Sequence, residues 1–431
     1  MMSFTKTASR LFAGLATLSL SALALAGCAP SSTTTAGTGS IDPATTKGTV
    51  RILMEDVPDS DIVASLIPEF KKVYANVDVQ IEKLPYDQMK DKLVASFQAP
   101  EPAYDLIVVD NSWVSDFVAA GFISPMDDRI DAVADYDAAD FFTSLTNITK
   151  VDGVRYGVPF YNYALGYIYN TDMVSPADVP TSLDGLVSLS ASLTTPDRAG
   201  LAMQPQTGYK IMEEWTNFLY AAGGSIYGAD GKANLNTPEA KAALEAYIEL
   251  YNNSAPKDSL NWAFDDAFRS VSSGGSAAMV SYNWNLAALN QPDSGPYAGK
   301  FKLAVMPGGK SALGSWTWAL PTNSAAPDAA WAFAAWLTSK PVDVQRVVLG
   351  GAAIRQSTMT DPTVLSEGFG ADYYQAVTEI LANAAPLTEG LMGDEMITAV
   401  GEALNAAVSG TMTVDEALST ANDAINTIQS R

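Results

Sequence analysis

Asp105-Leu106-Ile107-Val108-Val109-Asp110-Asn111-Ser112-Trp113 is the stretch on which the fold turns. Leu106 to Val109 are apolar without a break, which suits a strand covered on both faces, as in a parallel sheet flanked by helices. The run stops at Asp110, and Val114, Phe117, Val118 and Gly121 then recur at helical spacing, with Asn111 or Ser112 placed to cap the helix. Strand, polar turn and helix in that order put Asp110 at the carboxyl end of a buried strand, where open α/β sheets hold their ligands. A carboxylate and a large aromatic three residues apart can bond a hydroxyl and cover an apolar face. Two readings of the pair stay open: Asp110 and Trp113 touch a ligand, or Asp110 caps the helix while Trp113 packs beneath it.

The same unit repeats toward the N-terminus. Val50 to Met54 is a strand with Glu55-Asp56 at its carboxyl end, and Pro58 opens a helix with Ile62, Leu66, Phe70 and Val73 on one face. Val77, Val79 and Ile81 alternate as a strand, and Met89, Leu93 and Phe97 mark the next helix. This β-α-β-α-β-α order predicts a parallel sheet with crossover helices. After the turn at Asp152-Gly153 the pattern changes, with strand-like runs at Phe160-Tyr161-Asn162-Tyr163, Leu165 to Tyr169, Ala277 to Tyr282 and Gly314 to Trp318. Asn283-Trp284 stand at the end of one of these. Helices are expected after Thr181 with Asp184 as a capping box, from Thr237-Pro238 to about Tyr251, over Trp262 to Val271, after Pro327, and after Thr413 with Glu416 as the strongest capping box.

With 431 residues, 48% of them hydrophobic, the chain can bury a large core divided over two or three domains. Its formal charge of −23 argues against nucleic acid, which is held by Lys and Arg on phosphates. Histidine is absent, which excludes Ser-His-Asp and Cys-His nucleophile systems and His-containing zinc sites; no metal or other cofactor is expected. The single cysteine has a context. Lys6 and Arg10 precede an apolar stretch, Leu11 to Leu25, too short to span a bilayer comfortably, and Leu25-Ala26-Gly27-Cys28 closes it. Those four residues resemble the lipobox of bacterial lipoproteins, which implies cleavage of residues 1–27 and a lipid on Cys28. The stretch to Gly48 is rich in Ser, Thr and Gly and reads as a flexible tether, residues 28–48.

The remainder, from Thr49 to Arg431, resembles the extracellular solute-binding proteins of ABC importers, in particular the large sugar-binding family that includes maltose-binding protein. The residues that carry the likeness are Tyr104 to Ile107 with Ala120 to Pro125; Asp152-Gly153 with Tyr156-Gly157-Val158-Pro159; and Tyr169 to Asp172. Gly275 to Met279, Gly314 to Ala319, Ala353-Ile354-Arg355, and Ser409-Gly410 with Thr413 to Leu418 follow in the family's order. The resemblance implies two α/β lobes that close on a ligand between them. Lobe one is then residues 49–159 and 317–350, lobe two residues 160–316 and 351–431, with crossings near Phe160, Trp316 and Gly351. It further implies a monomer outside the cytoplasm, anchored to the outer face of the cell membrane by its lipid, that serves the importer's membrane subunits.

A sugar or polyol asks for hydroxyl acceptors and a flat apolar surface. Glu55, Asp56, Asp110 and Trp113 offer these at the strand ends of lobe one, and Tyr161, Asn162, Trp284, Trp316 and Arg355 from lobe two and the crossings. Trp284 falls where relatives stack an aromatic ring on sugar, its alternative being core packing. Trp316 and Trp318 are expected to divide between cleft and core, and Trp331 and Trp336 to be core. Gln204-Pro205-Gln206 stand where relatives often bring acids. A lipid-anchored glycosidase using two of Glu55, Asp56 and Asp110 is the enzyme alternative. Capture of a polyamine or ferric iron is the other.

Overall fold

The structure is a computed structural model that describes residues 41–431; the cleavage site and Cys28 lie outside the described residues. Strands β1 (Gly48–Glu55), β2 (Val77–Leu84) and β3 (Leu106–Asp110) are parallel, with β1 between the other two. They are joined by helices α1 (Pro58–Val73) and α2 (Tyr86–Gln98), as the alternating pattern predicts. Every residue of β3 is buried, the expected outcome of an apolar run without alternation. Two local expectations are corrected. Val73 is 46% exposed, because Tyr74 takes its place in the core and stacks on Phe70 with ring centroids 5.0 Å apart. Neither Asn111 nor Ser112 caps a helix: Asp110 caps a 3-10 turn over Asn111–Trp113, which leads into α3 (Val114–Ala119). The end of the presumed tether is attached to the body, since Tyr74 Oη donates to the Ile41 carbonyl at 3.3 Å and Gly48 already belongs to β1.

The second half of the sheet is antiparallel. It consists of β4 (Val158–Asn170), β5 (Ala278–Tyr282), β6 (Phe301–Ala304) and β7 (Ala312–Ala319). The thirteen residues of β4 are all buried because the strand has two sets of partners. Val158 to Ala164 pair with β7, with a bulge at Phe160, while Leu165 to Asn170 pair with β5 and β6. On its other side β7 pairs with β3, placing Trp316 opposite Asp110 and Trp318 opposite Val108. Thus β4 and β7 carry the sheet from the β1–β3 region to the β5–β6 region.

The helices form two groups. With β5 and β6 belong α4 (Leu183–Leu193), α5 (Tyr209–Ala221), α6 (Pro238–Ser254) and α7 (Phe264–Ser272), whereas α8 (Pro327–Leu337) and α9 (Lys340–Val348) return to the first group, α8 against α1, β1 and β3. The chain ends in α10 (Ala371–Asn383), α11 (Gly393–Val408) and α12 (Val414–Gln429); α11 and α12 pack on each other and on α6, and α11 also covers α5. Thr237 caps α6 with Pro238 in its first turn, and Thr413 with Glu416 forms the expected capping box on α12. The cap of α4 is Ser182 instead of Thr181, its Oγ accepting from Gly185 N at 3.1 Å. Trp331 is fully buried, while Trp336 is partly exposed at its edge-on contact with Phe70.

A buried ion cluster fastens the segment after α9 to the first group. The Arg346 guanidinium lies between Asp59 Oδ1 at 3.1 Å and Asp343 Oδ1 at 3.0 Å, all three side chains out of solvent. Asp343 Oδ2 in turn accepts from Thr358 Oγ1 at 2.7 Å and from Arg355 N at 3.2 Å. Each charge therefore has an opposite partner and further hydrogen bonds, the condition under which buried ions are tolerated.

Candidate functional site

The carboxyl ends of β1 and β3 open onto a cavity of about 670 Å³. Glu55, Asp56 and Asp110 line it from these strand ends, Tyr86 and Asp87 from the start of α2, and Gly314 and Trp316 from β7. The opposite wall comes from the second group of elements: Gln206, Thr207, Tyr209 and Lys210 around the start of α5, Phe264 and Asp265 at the start of α7, and Tyr282 with Trp284 at the end of β5. The site is thus assembled from element ends, because there the backbone turns away and leaves side chains to face one another across the gap.

Its acids are shaped by burial. Asp110 Oδ1 accepts from Ser112 N at 2.8 Å and Ser112 Oγ at 2.7 Å, so the capping role and the place at the cavity belong to one side chain. Burial, helped by the charges of Asp394 and Glu55 and opposed by those two bonds, pushes its carboxyl up to about 7. Glu55 is likewise raised to about 7 by burial; the Tyr161 hydroxyl, donating to Oε2 at 2.9 Å, and the charge of Lys210 work the other way. Asp56 at the rim pairs with Lys83 at 2.9 Å. Across the cavity, Lys210 Nζ donates to Tyr282 Oη at 2.9 Å, and that hydroxyl donates to Glu213 Oε2 at 2.7 Å.

Aromatic rings supply the rest of the wall. Trp284 is partly exposed and lies parallel to Tyr282, with centroids 6.0 Å apart and planes 8° apart, and it also meets Phe264 at 5.4 Å. On the facing side Trp316 meets Tyr86 edge-on at 5.8 Å. Trp318, two residues farther along β7, is buried against Phe160 and Phe333. The two indoles therefore divide between cavity and core, Trp316 being the one opposite Asp110 at the strand end.

Four residues expected at a ligand stand behind the wall or away from it. Trp113 is buried between Tyr86 at 5.5 Å and Trp316 at 5.3 Å, its Nε1 donating to Asp394 Oδ1 at 3.1 Å. It supports rings that line the cavity. Tyr161 is buried beneath Glu55, which it holds by the hydrogen bond given above. Asn162 is consumed within the protein: its Nδ2 donates to the Ala353 carbonyl, and its Oδ1 accepts from Asn283 Nδ2 at 2.8 Å. Arg355 is fully buried far from the lining residues, its guanidinium donating to the carbonyls of Thr338, Tyr136 and Asp137 at 2.7, 2.9 and 2.8 Å. Its Nη1 also pairs with Asp140 Oδ2 at 3.4 Å, so the guanidinium is spent on contacts within the protein.

Tyr86, Tyr209, Lys210, Phe264 and Tyr282 line the cavity without having been singled out from the sequence. The available signal was punctuation: Pro85 precedes Tyr86, and Gly208 precedes Tyr209. Gly208 has φ of +88°, a left-handed conformation open to glycine, and its carbonyl meets α11 so closely that a Cβ on Gly401 would lie 2.0 Å from it. Two glycines in contact thus press α11 onto the loop that presents Tyr209 and Lys210. Among the described residues no group of three or more His, Cys, Asp or Glu side chains is placed to hold a metal ion.

A two-lobed α/β architecture with a cleft walled by carboxylates and aromatic rings is that of a solute-binding protein. Residues 56–343 match the family of bacterial extracellular solute-binding proteins, and the chain belongs to that family. Its members bind solutes and are not enzymes. The chain is 23% identical over 409 residues to the mannitol-binding protein of Pseudomonas aeruginosa, covering 88% of this chain and 93% of the relative. It is 21% identical over 325 residues, 74% of this chain and 75% of the relative, to a probable amino-acid ABC transporter periplasmic-binding protein of Sinorhizobium fredii. Among solved structures, an ABC transporter solute-binding protein of Agrobacterium radiobacter K84 in complex with ribitol superimposes with a TM-score of 0.78 at 25% identity, over 89% of this chain and 99% of the other.

Proposed function

We propose that the chain captures a sugar or polyol outside the cytoplasm, closes its two lobes on it, and delivers it to an ABC importer. The observation that carries the reading is the cavity wall, in which buried carboxylates from one lobe face a cluster of aromatic rings from the other. Carboxylates accept from hydroxyl donors, and the rings cover the C–H face of a carbon chain. The mannitol and ribitol of the two relatives named above are solutes of this kind. An amino acid would bring a carboxylate of its own, and the one basic side chain at the wall among the described residues, Lys210, is already engaged by Tyr282 and Glu213. The glycosidase and ferric-iron readings have no support of this sort, and a polyamine brings no hydroxyl donors.

In this reading Glu55, Asp56, Asp110, Trp284 and Trp316 contact the solute, with Tyr86, Tyr209 and Tyr282 beside them. The hinge consists of β4, β7 and the segment from Gly351 onward, since these run from one group of elements to the other. Cys28 carries the lipid. A thermal-shift screen of sugars, polyols, amino acids, polyamines and metal ions tests the substrate class. A polyhydroxylated solute at a hundred times its Kd should add about 2.7 kcal/mol of stability. Stabilisation by an amino acid or metal alone would refute the assignment. For the anchor, Cys28→Ser should release the protein from membranes, while a chain beginning at Ile41 should bind its solute with unchanged affinity.

A further inference from the structure

The cavity wall is not balanced in charge. Glu55 and Asp110 both line it, and among the described residues neither is in an ion pair: their hydrogen-bond partners are the hydroxyls of Tyr161 and Ser112 and the Ser112 amide. Asp110 is only 2% exposed and lines the cavity, and no donor among the described residues bonds its Oδ2. The two carboxyls are near enough for the charge of Glu55 to bear on Asp110. The charge of Lys210 bears on Glu55, but its ammonium is hydrogen-bonded to the Tyr282 hydroxyl and lies 3.7 Å from Glu213, with no ion pair to Glu55 or Asp110. Asp87 and Asp265 add two carboxylates at the same wall with no ion-pair partner among the described residues. The rings of Tyr86, Trp316, Tyr282 and Trp284 line the same space, and the face of such a ring attracts cations.

A neutral polyol closed into this cavity would strip water from Glu55 and Asp110, which must then either take up protons or stay charged without a counter-ion, since a low-dielectric site disfavours their charged forms. A positive group on the solute would turn the same contacts into matched, charge-assisted hydrogen bonds. We infer that the solute is an amino polyol or amino sugar, its ammonium group held by Glu55 and Asp110 and its hydroxylated chain lying against the aromatic wall. The inference rests on the sugar-or-polyol reading above and narrows it.

Calorimetric titration near neutral pH of matched pairs tests it: ribitol, D-mannitol and D-sorbitol, each against its 1-amino-1-deoxy counterpart. In at least one pair the amine should bind about ten- to a hundredfold more tightly, the range expected when a hydrogen bond to a charged group is gained. Asp110→Asn keeps an oxygen to cap Ser112 and should bring that ratio toward one, and Glu55→Gln, which leaves the cap untouched, should do the same. If the neutral member of every pair binds as tightly as its amine, the inference fails while the polyol reading survives. If no member of any pair binds, both fall. An amine preference that persists undiminished in both variants would also overturn the assignment to these carboxylates.

Discussion

Asp110 holds the turn after β3 with one oxygen and lines the cavity, and its cost shows in its proton affinity. An ordinary aspartate near 3.8 is raised in the fold to about 7, so the folded protein binds the proton more strongly than the unfolded chain. That contribution to stability is present at low pH and is lost as pH rises through the window from 3.8 to about 7. Asp110→Asn should therefore gain stability relative to wild type across this window, on the order of 3 kcal/mol at its upper end. Urea denaturation of both proteins at several pH values measures the difference, and curves that stay parallel from acid to neutral pH would contradict it. At Trp284 the ring stands at the cavity with one edge partly open, so truncation should harm binding more than folding. Trp284→Ala should lose about 2 kcal/mol of binding free energy, roughly thirtyfold in affinity, with the ligand-free melting point little changed. A core role would reverse the pattern, with about 3–5 kcal/mol lost from stability and affinity retained. At this scale the sequence reading led to Glu55, Asp56, Asp110, Trp284 and Trp316 as wall residues, because a strand end facing open space is visible in the hydrophobic pattern. It did not separate these from Trp113, Tyr161, Asn162 and Arg355. Whether a polar or aromatic side chain points outward or is consumed by a carbonyl depends on partners hundreds of residues away, as with Asn162 and Ala353.

Elements were read more securely than their edges. The three parallel strands and their helices follow directly from apolar runs and period, whereas Thr181 was taken for the cap that Ser182 provides, since adjacent hydroxyl residues both satisfy the local pattern. The division of Trp316 from Trp318 has a register explanation. Residues two apart on a strand share a face but lie about 6.5 Å apart along it, enough to bring one beyond the covering helix while the other stays beneath α8. Tyr86 and Tyr209 were hidden for a related reason: at a helix start an aromatic residue has no periodic partners to betray which way it faces. The buried cluster of Asp59, Arg346 and Asp343 was equally illegible, because it joins α1 to α9 and to the segment carrying Arg355. Removing the cation alone leaves two buried carboxylates unpaired. Arg346→Ala should then cost about 3–5 kcal/mol of stability by denaturant titration, and a loss below about 1 kcal/mol would show the cluster to be weakly coupled.

Over the whole molecule the cavity is also a junction. Asp394, in the first turn of α11, accepts from Lys90 Nζ at 2.7 Å and Trp113 Nε1 at 3.1 Å and lies 2.9 Å from Ser112 Oγ, for whose single proton it competes with Asp110. Its helix packs on α5, which carries Tyr209 and Lys210, while Lys90, Ser112 and Trp113 belong to the β1–β3 group. In the account of lobe closure this contact favours the closed form. Asp394→Ala should lower solute affinity about tenfold, taking roughly 0.5–1.5 kcal/mol for each hydrogen bond lost, and should raise the ligand-free radius of gyration in small-angle scattering. An unchanged radius with unchanged affinity would remove Asp394 from the closing mechanism.

The central claim is that this cavity holds the solute, and Gly314 gives the most direct access to it. Gly314 lines the cavity from β7, and a Cβ placed there meets its neighbours no closer than 3.4 Å, so a Cβ fits without disturbing the backbone. Calorimetric titration of the stabilising sugar or polyol into wild type and Gly314→Val is the measurement. The account predicts one site per chain in the wild type, with affinity lost at least tenfold in a variant whose melting point is nearly unchanged. Saturable binding of equal strength in a folded Gly314→Val protein would place the solute elsewhere and contradict it.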